Sequence, residues 1–329
     1  MGKNKVHIVS KMNANPTTKP RIKPLPTLIR PDTWLAQAWY AASCYTDQPY
    51  IGRFAPSPSG VLHQGSLIAA LASYLHADWH GGRWLLRMED VDQSRCTRAL
   101  GAQQLNILRA LGFEWDTPVL WQTERFAAYR AAFAPLKSQG RIYPCACTRK
   151  QIVHRENELN IQVYPRTCRG VPTAPEKIHS WRFDVGEQII TWTDESGRVT
   201  TENLSATCGD FVVRRGFEAT DDWAYQWAVV VDDAWQGVTH VVRGADLWDS
   251  TARQIALQQA LNAPLLQYSH MPLLVNEAGE KLSKSGQAPA LDVLAPTDAL
   301  LHAWEFLGGQ RFDCALPEDF FFFFRAYAP

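Results

Sequence analysis

The chain has 329 residues, 46% of them hydrophobic and 11% aromatic, enough for about two domains of roughly 100–200 residues with a sizeable core, which excludes disorder as the main state. Its 33 basic and 33 acidic side chains balance, so any nucleic-acid partner must be held by a local patch rather than by overall charge. No uninterrupted apolar run approaches the roughly 18–20 residues of a membrane helix, no secretory signal opens the chain, and seven scattered cysteines point to reduced thiols; a cytoplasmic protein without a membrane partner is expected.

Residues 1–47 are basic at their start (Lys3, Lys5, Lys11, Lys19, Arg21, Lys23, Arg30) and interrupted by Pro16, Pro20, Pro24, Pro26 and Pro31, with a short helix expected around Trp34–Cys44. They read as a flexible appendage, either an RNA-attracting arm or a merely solvated extension. A short strand is expected at Ile51–Ala55, then a turn at Pro56–Gly60, an amphipathic helix from about Gly65 to Trp79, and a second strand at Arg83–Leu86. That strand delivers Arg87-Met88-Glu89-Asp90-Val91-Asp92 to the carboxyl edge of a sheet, where open α/β sheets bind ligands. Helices over about Cys96–Leu111 and Glu124–Ser138 complete a strand–helix alternation that predicts a doubly wound parallel sheet over 48–142.

From about Tyr143 cysteine-bearing loops give way to β-rich segments at Ser180–Val185, Gln188–Thr193 and Phe211–Arg215, with a turn at Glu195-Ser196-Gly197; an α+β insertion is expected over 143–222. The run Ala228–Val231, ending in Asp232-Asp233, reads as a buried strand, and His240–Arg243 as the next, so the parallel sheet resumes over 223–262. A helix near Thr251–Leu261 and a strand at Pro272–Val275 lead to the loop Lys281-Leu282-Ser283-Lys284-Ser285 within a short last segment, 263–329. Five consecutive aromatics, Phe320–Phe324, match neither helical nor strand alternation.

His63-Gln64-Gly65-Ser66 lies where a Pro/Gly turn enters a helix, so free N–H groups, the helix dipole and an imidazole donor converge on one point, and Gly65 admits a nucleotide close to the backbone. Lys281 and Lys284 add two ammonium groups able to follow a phosphate as it becomes pyrophosphate. Neither motif is specific alone; a capping histidine and a solvated lysine turn are the ordinary readings.

Together, Gly52–Gly60, His63–Ser66, Arg87–Asp92 with Arg95, and Lys281–Ser285 resemble the glutamyl branch of the class I aminoacyl-tRNA synthetases over roughly residues 50–295. The resemblance implies a Rossmann-like parallel sheet with an inserted zinc-bearing α+β domain and a short helical C-terminal part. It implies ATP-dependent activation of glutamate, with His63, Gly65, Lys281 and Lys284 in catalysis and His63, Gly65, Ser66 and Lys284 at ATP, whose Mg²⁺ is held mainly by phosphates and water. Glutamate carries two carboxylates and one ammonium, so its pocket needs two cations and an anion; Arg53, Arg243 and Glu89 meet that need. The matching family positions add Phe54, Ala55, Pro56, Ser57 and Tyr225, with Arg243 on the side-chain carboxylate and Glu89 on the ammonium.

Cys145, Cys147 and Cys168 supply three soft ligands for a metal, for which zinc is expected, and free packed thiols are the plain alternative. Tyr164 matches the fourth position in the short members of the branch; His154 is its chemical competitor, since imidazole is the commoner partner of thiolates. Only 45 residues follow Lys284, too few for an anticodon-reading helical region. The chain therefore resembles the short members, which attach glutamate to the queuosine base at the wobble position of tRNA(Asp), and a monomer is expected. A truncated synthetase charging an RNA 3′ end and a catalytically silent, zinc-stabilised RNA-binding module are the other readings.

Overall fold

The computed structural model describes residues 25–44, 49–216, 221–275, 291 and 295–326. Its elements in chain order are α1 (Trp34–Cys44), β1 (Ile51–Phe54), α2 (Gln64–Trp79), β2 (Arg83–Met88), α3 (Arg98–Ala110), β3 (Leu120–Trp121), α4 (Phe126–Ser138), β4 (Ile142–Cys145) and α5 (Arg149–Leu159). They continue with β5 (Ser180–Phe183), β6 (Ile189–Thr193), β7 (Val199–Asn203), α6 (Leu204–Thr207), β8 (Phe211–Arg215), β9 (Asp222–Trp223), α7 (Tyr225–Gln236) and β10 (His240–Gly244). The last are α8 (Thr251–Ala260), β11 (Gln267–Met271), α9 (Pro296–Leu307) and α10 (Pro317–Ala326).

Strands β1, β2 and β3 form a parallel sheet, and β10 pairs in parallel with β11. The Thr239 N–H donates to the Ile51 carbonyl at 2.9 Å, which brings β10 alongside β1. Helix α2 packs on this parallel layer through Leu67, Ile68, Leu71, Ala72 and Leu75, all buried; its many alanines let the backbone approach the strands closely. A second, antiparallel sheet has the order β4-β5-β8-β9, and β6 pairs with β7 as a separate hairpin. Apolar side chains gather in two large clusters, one between α1, α2, β1, β2, α9 and α10 and one between α4, β5, β6, α7 and α8.

Four expectations need correction. Ala228–Asp233 is not a strand but the middle of α7, which ends at Gly237 in the left-handed region at φ 68°. A short apolar run cannot by itself distinguish a buried strand from a buried helix, and the glycine cap was the available signal. The strand expected at Pro272–Val275 is β11, five residues earlier and more polar; Pro272 follows its last residue because proline has no N–H to continue the ladder.

The described part of the expected flexible arm is packed: Ile29, Trp34, Leu35 and Trp39 are buried, Arg30 N–H donates to the Gly308 carbonyl at 2.9 Å, and Trp34 Nε1 donates to Ser269 Oγ at 3.2 Å. The aromatic run is the inner face of α10, with Phe320, Phe321 and Phe324 buried and Phe322 77% exposed, a spacing of one and four residues that a helix places on one side. Phe324 lies 4.4 Å from the Trp304 ring, and Phe321 meets Tyr74 at 5.0 Å.

Candidate active site

Three strands bring residues at or near their carboxyl ends to one edge: Arg53, next to last in β1, Glu89 just past β2, and Arg243, next to last in β10. Tyr225 enters from the first residue of α7. Arg53, Phe54, Ala55, Ser57, Glu89, Tyr225 and Arg243 line a cavity of about 320 Å³. A neighbouring cavity of about 470 Å³ shares Phe54, Ser57, Ala69 and Gly244 with it and is lined further by Pro56, His63, Gly65 and Ser66. The residues expected at glutamate, and those expected at ATP that fall among the described residues, thus line two adjoining cavities. Lys281 and Lys284 lie outside the described residues. A larger hollow of about 650 Å³, lined by Asp78, Glu114 and Arg325, contains none of these groups.

His63 is the N-cap of α2. Its backbone is extended and its Nδ1 accepts from the Ser66 N–H at 3.3 Å, which puts the ring proton on Nε2, a donor suited to a phosphate oxygen. Gln64 is not directed at this hollow: its Nε2 donates to the Ala299 carbonyl at 3.0 Å and ties α2 to α9.

Beneath the pocket lies a buried charge network that the sequence reading missed. Arg53 Nε donates to Asp233 Oδ1 at 3.2 Å, and Arg87 donates to the same oxygen at 2.7 Å, to Gln236 at 2.8 Å and to Glu89 Oε1 at 3.3 Å. Two guanidinium groups face two carboxylates, so the buried charges cancel. Burial raises the Glu89 carboxyl above its ordinary range despite Arg87 and Arg53. Burial also opposes ionisation of Asp233, but the two arginines outweigh it and hold that carboxyl low. Asp232, on the next position of α7, pairs separately with Arg125 at 3.1 Å and accepts from Tyr129 Oη at 2.5 Å. Reading α7 as a strand hid Asp233, because a strand would have sent neighbouring residues to opposite faces.

Arg243 sits on three partners: Nη1 donates to Gln254 Oε1 at 2.6 Å, Nη2 to Thr251 Oγ1 at 2.6 Å, and Nε to His270 Nε2 at 3.3 Å. None is a carboxylate, so among the described residues no acid pairs with this buried guanidinium, which also lies 5.1 Å from the Tyr268 ring, and these three bonds leave one N–H on each terminal nitrogen for a ligand.

At the end of β4, Cys145, Cys147 and Cys168 bring their sulfurs within 4.8 Å of one another. Tyr164 Oη lies 3.2 Å from Cys145 Sγ and 3.7 Å from Cys147 Sγ, and it accepts from the Cys168 N–H at 3.1 Å. Burial works to raise the Cys145 thiol, but hydrogen bonds from Tyr164 and Arg182 bring it down to about 7; burial and Cys168 push Cys147 up to about 12. His154 is on α5, 77% exposed and 3.2 Å from Glu158, away from the sulfurs. Three thiols and a phenol converging on one point fit a soft, tetrahedrally coordinated metal ion.

Residues 51–292 match the family "tRNA synthetases class I (E and Q), catalytic domain". The chain is 49% identical over 266 residues to the glutamyl-Q tRNA(Asp) synthetase of Dechloromonas aromatica, covering 80% of this chain and 87% of that one. It is 50% identical over 245 residues to the protein of the same name from Thiobacillus denitrificans, covering 73% and 79%. Among solved structures, the glutamate tRNA ligase of Elizabethkingia meningosepticum in complex with its amino acid superposes with a TM-score of 0.63 at 25% identity over 72% of this chain. The chain spans about half of that longer protein, 52%. The chain belongs to the class I tRNA synthetases for glutamate and glutamine, and within them to the glutamyl-Q tRNA(Asp) synthetase family.

Proposed function

We propose that this protein activates glutamate with ATP, without needing tRNA, and transfers the glutamyl group from the resulting adenylate to the queuosine base at the wobble position of tRNA(Asp), with AMP as the leaving group. The observation that carries this reading is the pair of adjoining cavities, one lined by Arg243, Arg53 and Glu89 and the other by the N-terminus of α2. Glu89 takes the substrate ammonium, Arg243 the side-chain carboxylate, and the Arg53–Ser57 segment with Tyr225 seats the backbone. The α-carboxylate is then directed at the α-phosphate of ATP, one of its oxygens forms the new P–O bond, and pyrophosphate leaves.

No covalent enzyme group is required; the protein's part is positioning and charge stabilisation. His63 Nε2 and the α2 N–H groups face the phosphates, Gly65 and Ser66 allow close approach, and Lys281 and Lys284 act on the departing pyrophosphate. Mg²⁺ accompanies ATP and neutralises phosphate charge. Zinc is the ion proposed for Cys145, Cys147, Tyr164 and Cys168: tetrahedral Zn–S bonds of about 2.3 Å put sulfurs roughly 3.8 Å apart, and Cys147 and Cys168 stand at 3.4 Å. A closed four-ligand set gives it a structural role over the region 143–222. We read the protein as a cytoplasmic monomer.

The name shared by the relatives favours queuosine as acceptor over an RNA 3′ end. Amino-acid-dependent ATP–pyrophosphate exchange across all twenty amino acids tests the first step. Exchange with glutamate alone, in the absence of tRNA, is expected; no exchange with or without tRNA would refute it.

A further inference from the structure

The hairpin β6–β7 reaches from the antiparallel region to the parallel sheet and ends in Asp194 and Glu195. There Glu195 N–H donates to the Tyr268 carbonyl at 3.0 Å, and the Asp194 carboxylate accepts from both the backbone N–H of His270 at 3.0 Å and its Nδ1 at 2.7 Å. Both side chains are almost fully buried, His270 at 1% and Asp194 at 3% exposure. The rings of Trp248 and Trp192, at 4.7 and 5.6 Å, keep water from the imidazole. His270 sits directly opposite Arg243 in the β10–β11 ladder, and its other nitrogen meets the Arg243 Nε.

Only one arrangement of protons satisfies these contacts. A carboxylate accepts, so Nδ1 carries the ring hydrogen, and Nε2 is left with a lone pair. That lone pair accepts from Arg243 Nε–H at 3.3 Å and from the Thr251 hydroxyl at 3.2 Å, while Thr251 Oγ1 in turn accepts from Arg243 Nη2. The opposite tautomer would set N–H against N–H at Arg243 and lone pair against carboxylate at Asp194. Burial also disfavours a second proton on the ring, which keeps a positive charge away from the guanidinium.

We propose that Asp194 and His270 are positioning residues that fix the orientation of the Arg243 guanidinium, and so set the preference for a side-chain carboxylate over an amide. The inference rests on the reading of Arg243 as the partner of the glutamate side chain. Asp194 does not touch the pocket; it fixes the tautomer, the tautomer presents an acceptor to Nε, and Gln254 and Thr251 hold the two terminal nitrogens. The guanidinium plane is thereby locked with its remaining N–H pair toward the ligand. The hairpin is thus a strut from the antiparallel region to the amino-acid pocket.

The test uses full-length protein in glutamate-dependent ATP–pyrophosphate exchange, reading KM for glutamate, KM for ATP, kcat, discrimination against glutamine, and thermal midpoint. His270→Asn keeps an amide donor near Asp194 but loses the acceptor at Arg243. It is expected to raise KM for glutamate about tenfold or more, the effect of one lost hydrogen bond to a charged group, with KM for ATP unchanged. His270→Gln places its amide oxygen near the lost Nε2 and is expected to stay within about threefold of wild type. Asp194→Asn is expected to shift glutamate KM and glutamine discrimination in the same direction as His270→Asn, and it carries the comparison should a His270 variant melt below the assay temperature.

Equal effects of the Asn and Gln variants would overturn the proposal in favour of simple packing. So would unchanged glutamate KM in all three variants while Arg243→Ala raises it. If Arg243→Ala itself leaves glutamate KM unchanged, the pocket reading falls and this inference with it.

Discussion

Asp233 and Arg53 stand 3.2 Å apart, both about 5% exposed, and the same carboxylate oxygen also accepts from Arg87 at 2.7 Å. One α7 carboxylate therefore anchors an arginine from each of the two central strands, and it does so immediately under the pocket. Asp233→Ala would leave two buried guanidinium groups short of a partner, and a loss of about 3–5 kcal/mol of stability is expected by urea denaturation. A loss below about 1 kcal/mol would mean that water or a neighbouring acid replaces the carboxylate.

The cysteine cluster predicts a metal that purifies with the protein. Elemental analysis is expected to give one zinc per chain, lost in Cys145→Ser. Tyr164→Phe is expected to retain zinc but release it to a chelator faster, because three thiolates remain and the fourth donor is gone. Full zinc retention in Cys145→Ser would place the metal elsewhere.

Helix α10 makes the aromatic run a stability feature. Phe320 is fully buried and 4.6 Å from Phe324, so Phe320→Ala is expected to cost about 3–5 kcal/mol, whereas Phe322→Ala, at a 77% exposed position, is expected to stay within about 0.5 kcal/mol. Comparable effects of the two substitutions on the thermal midpoint would contradict the helical face described here.

Stability is also expected to fall on acidification before most carboxylates titrate. His80 and His240 stack on Tyr50 at 4.7 and 4.3 Å, beside His76 and Glu195, and burial lowers their pKa values to about 4 and about 3. Unfolded, each imidazole takes a proton near pH 6.5, so below that pH the unfolded state binds more protons than the native one. The stability present above pH 6.5 is lost as pH falls toward 4, by up to about 1.4 kcal/mol per pH unit for each ring. Burial opposes ionisation of Glu195, but His76 overrides it and brings the carboxyl to about 2, which adds a further loss below pH 4.5. Urea midpoints at pH 7.5 and pH 5 measure the effect; equal midpoints would contradict it.

Much of this organisation was legible in the sequence, and its omissions have physical causes. Strands β1 and β2 and helices α2 and α4 follow from apolar periodicity, whereas the pocket residues Arg53, Glu89 and Arg243 follow from the family resemblance together with the charges of glutamate. Strand β7 went unseen because its sequence Val-Thr-Thr-Glu-Asn is exposed or half-buried throughout and leaves no hydrophobic pattern. Helix α7 was mistaken for a strand because β-branched Val229–Val231 outweighed the Gly237 cap, and Asp233 was lost with it. Asp194 and His270, and the part Arg87 plays in the buried network, escaped notice because their importance lies in contacts with residues 76 or more positions away, or in the neighbouring strand, which no local pattern encodes.

The most direct test of the account is transfer of radiolabelled glutamate to two preparations of tRNA(Asp), one bearing queuosine at the wobble position and one bearing guanosine, each with and without its 3′-terminal adenosine. The account predicts label on the queuosine-bearing tRNA whether or not the terminal adenosine is present, and none on the guanosine form. Label that requires an intact 3′ end, or that appears equally on tRNA lacking queuosine, would contradict it.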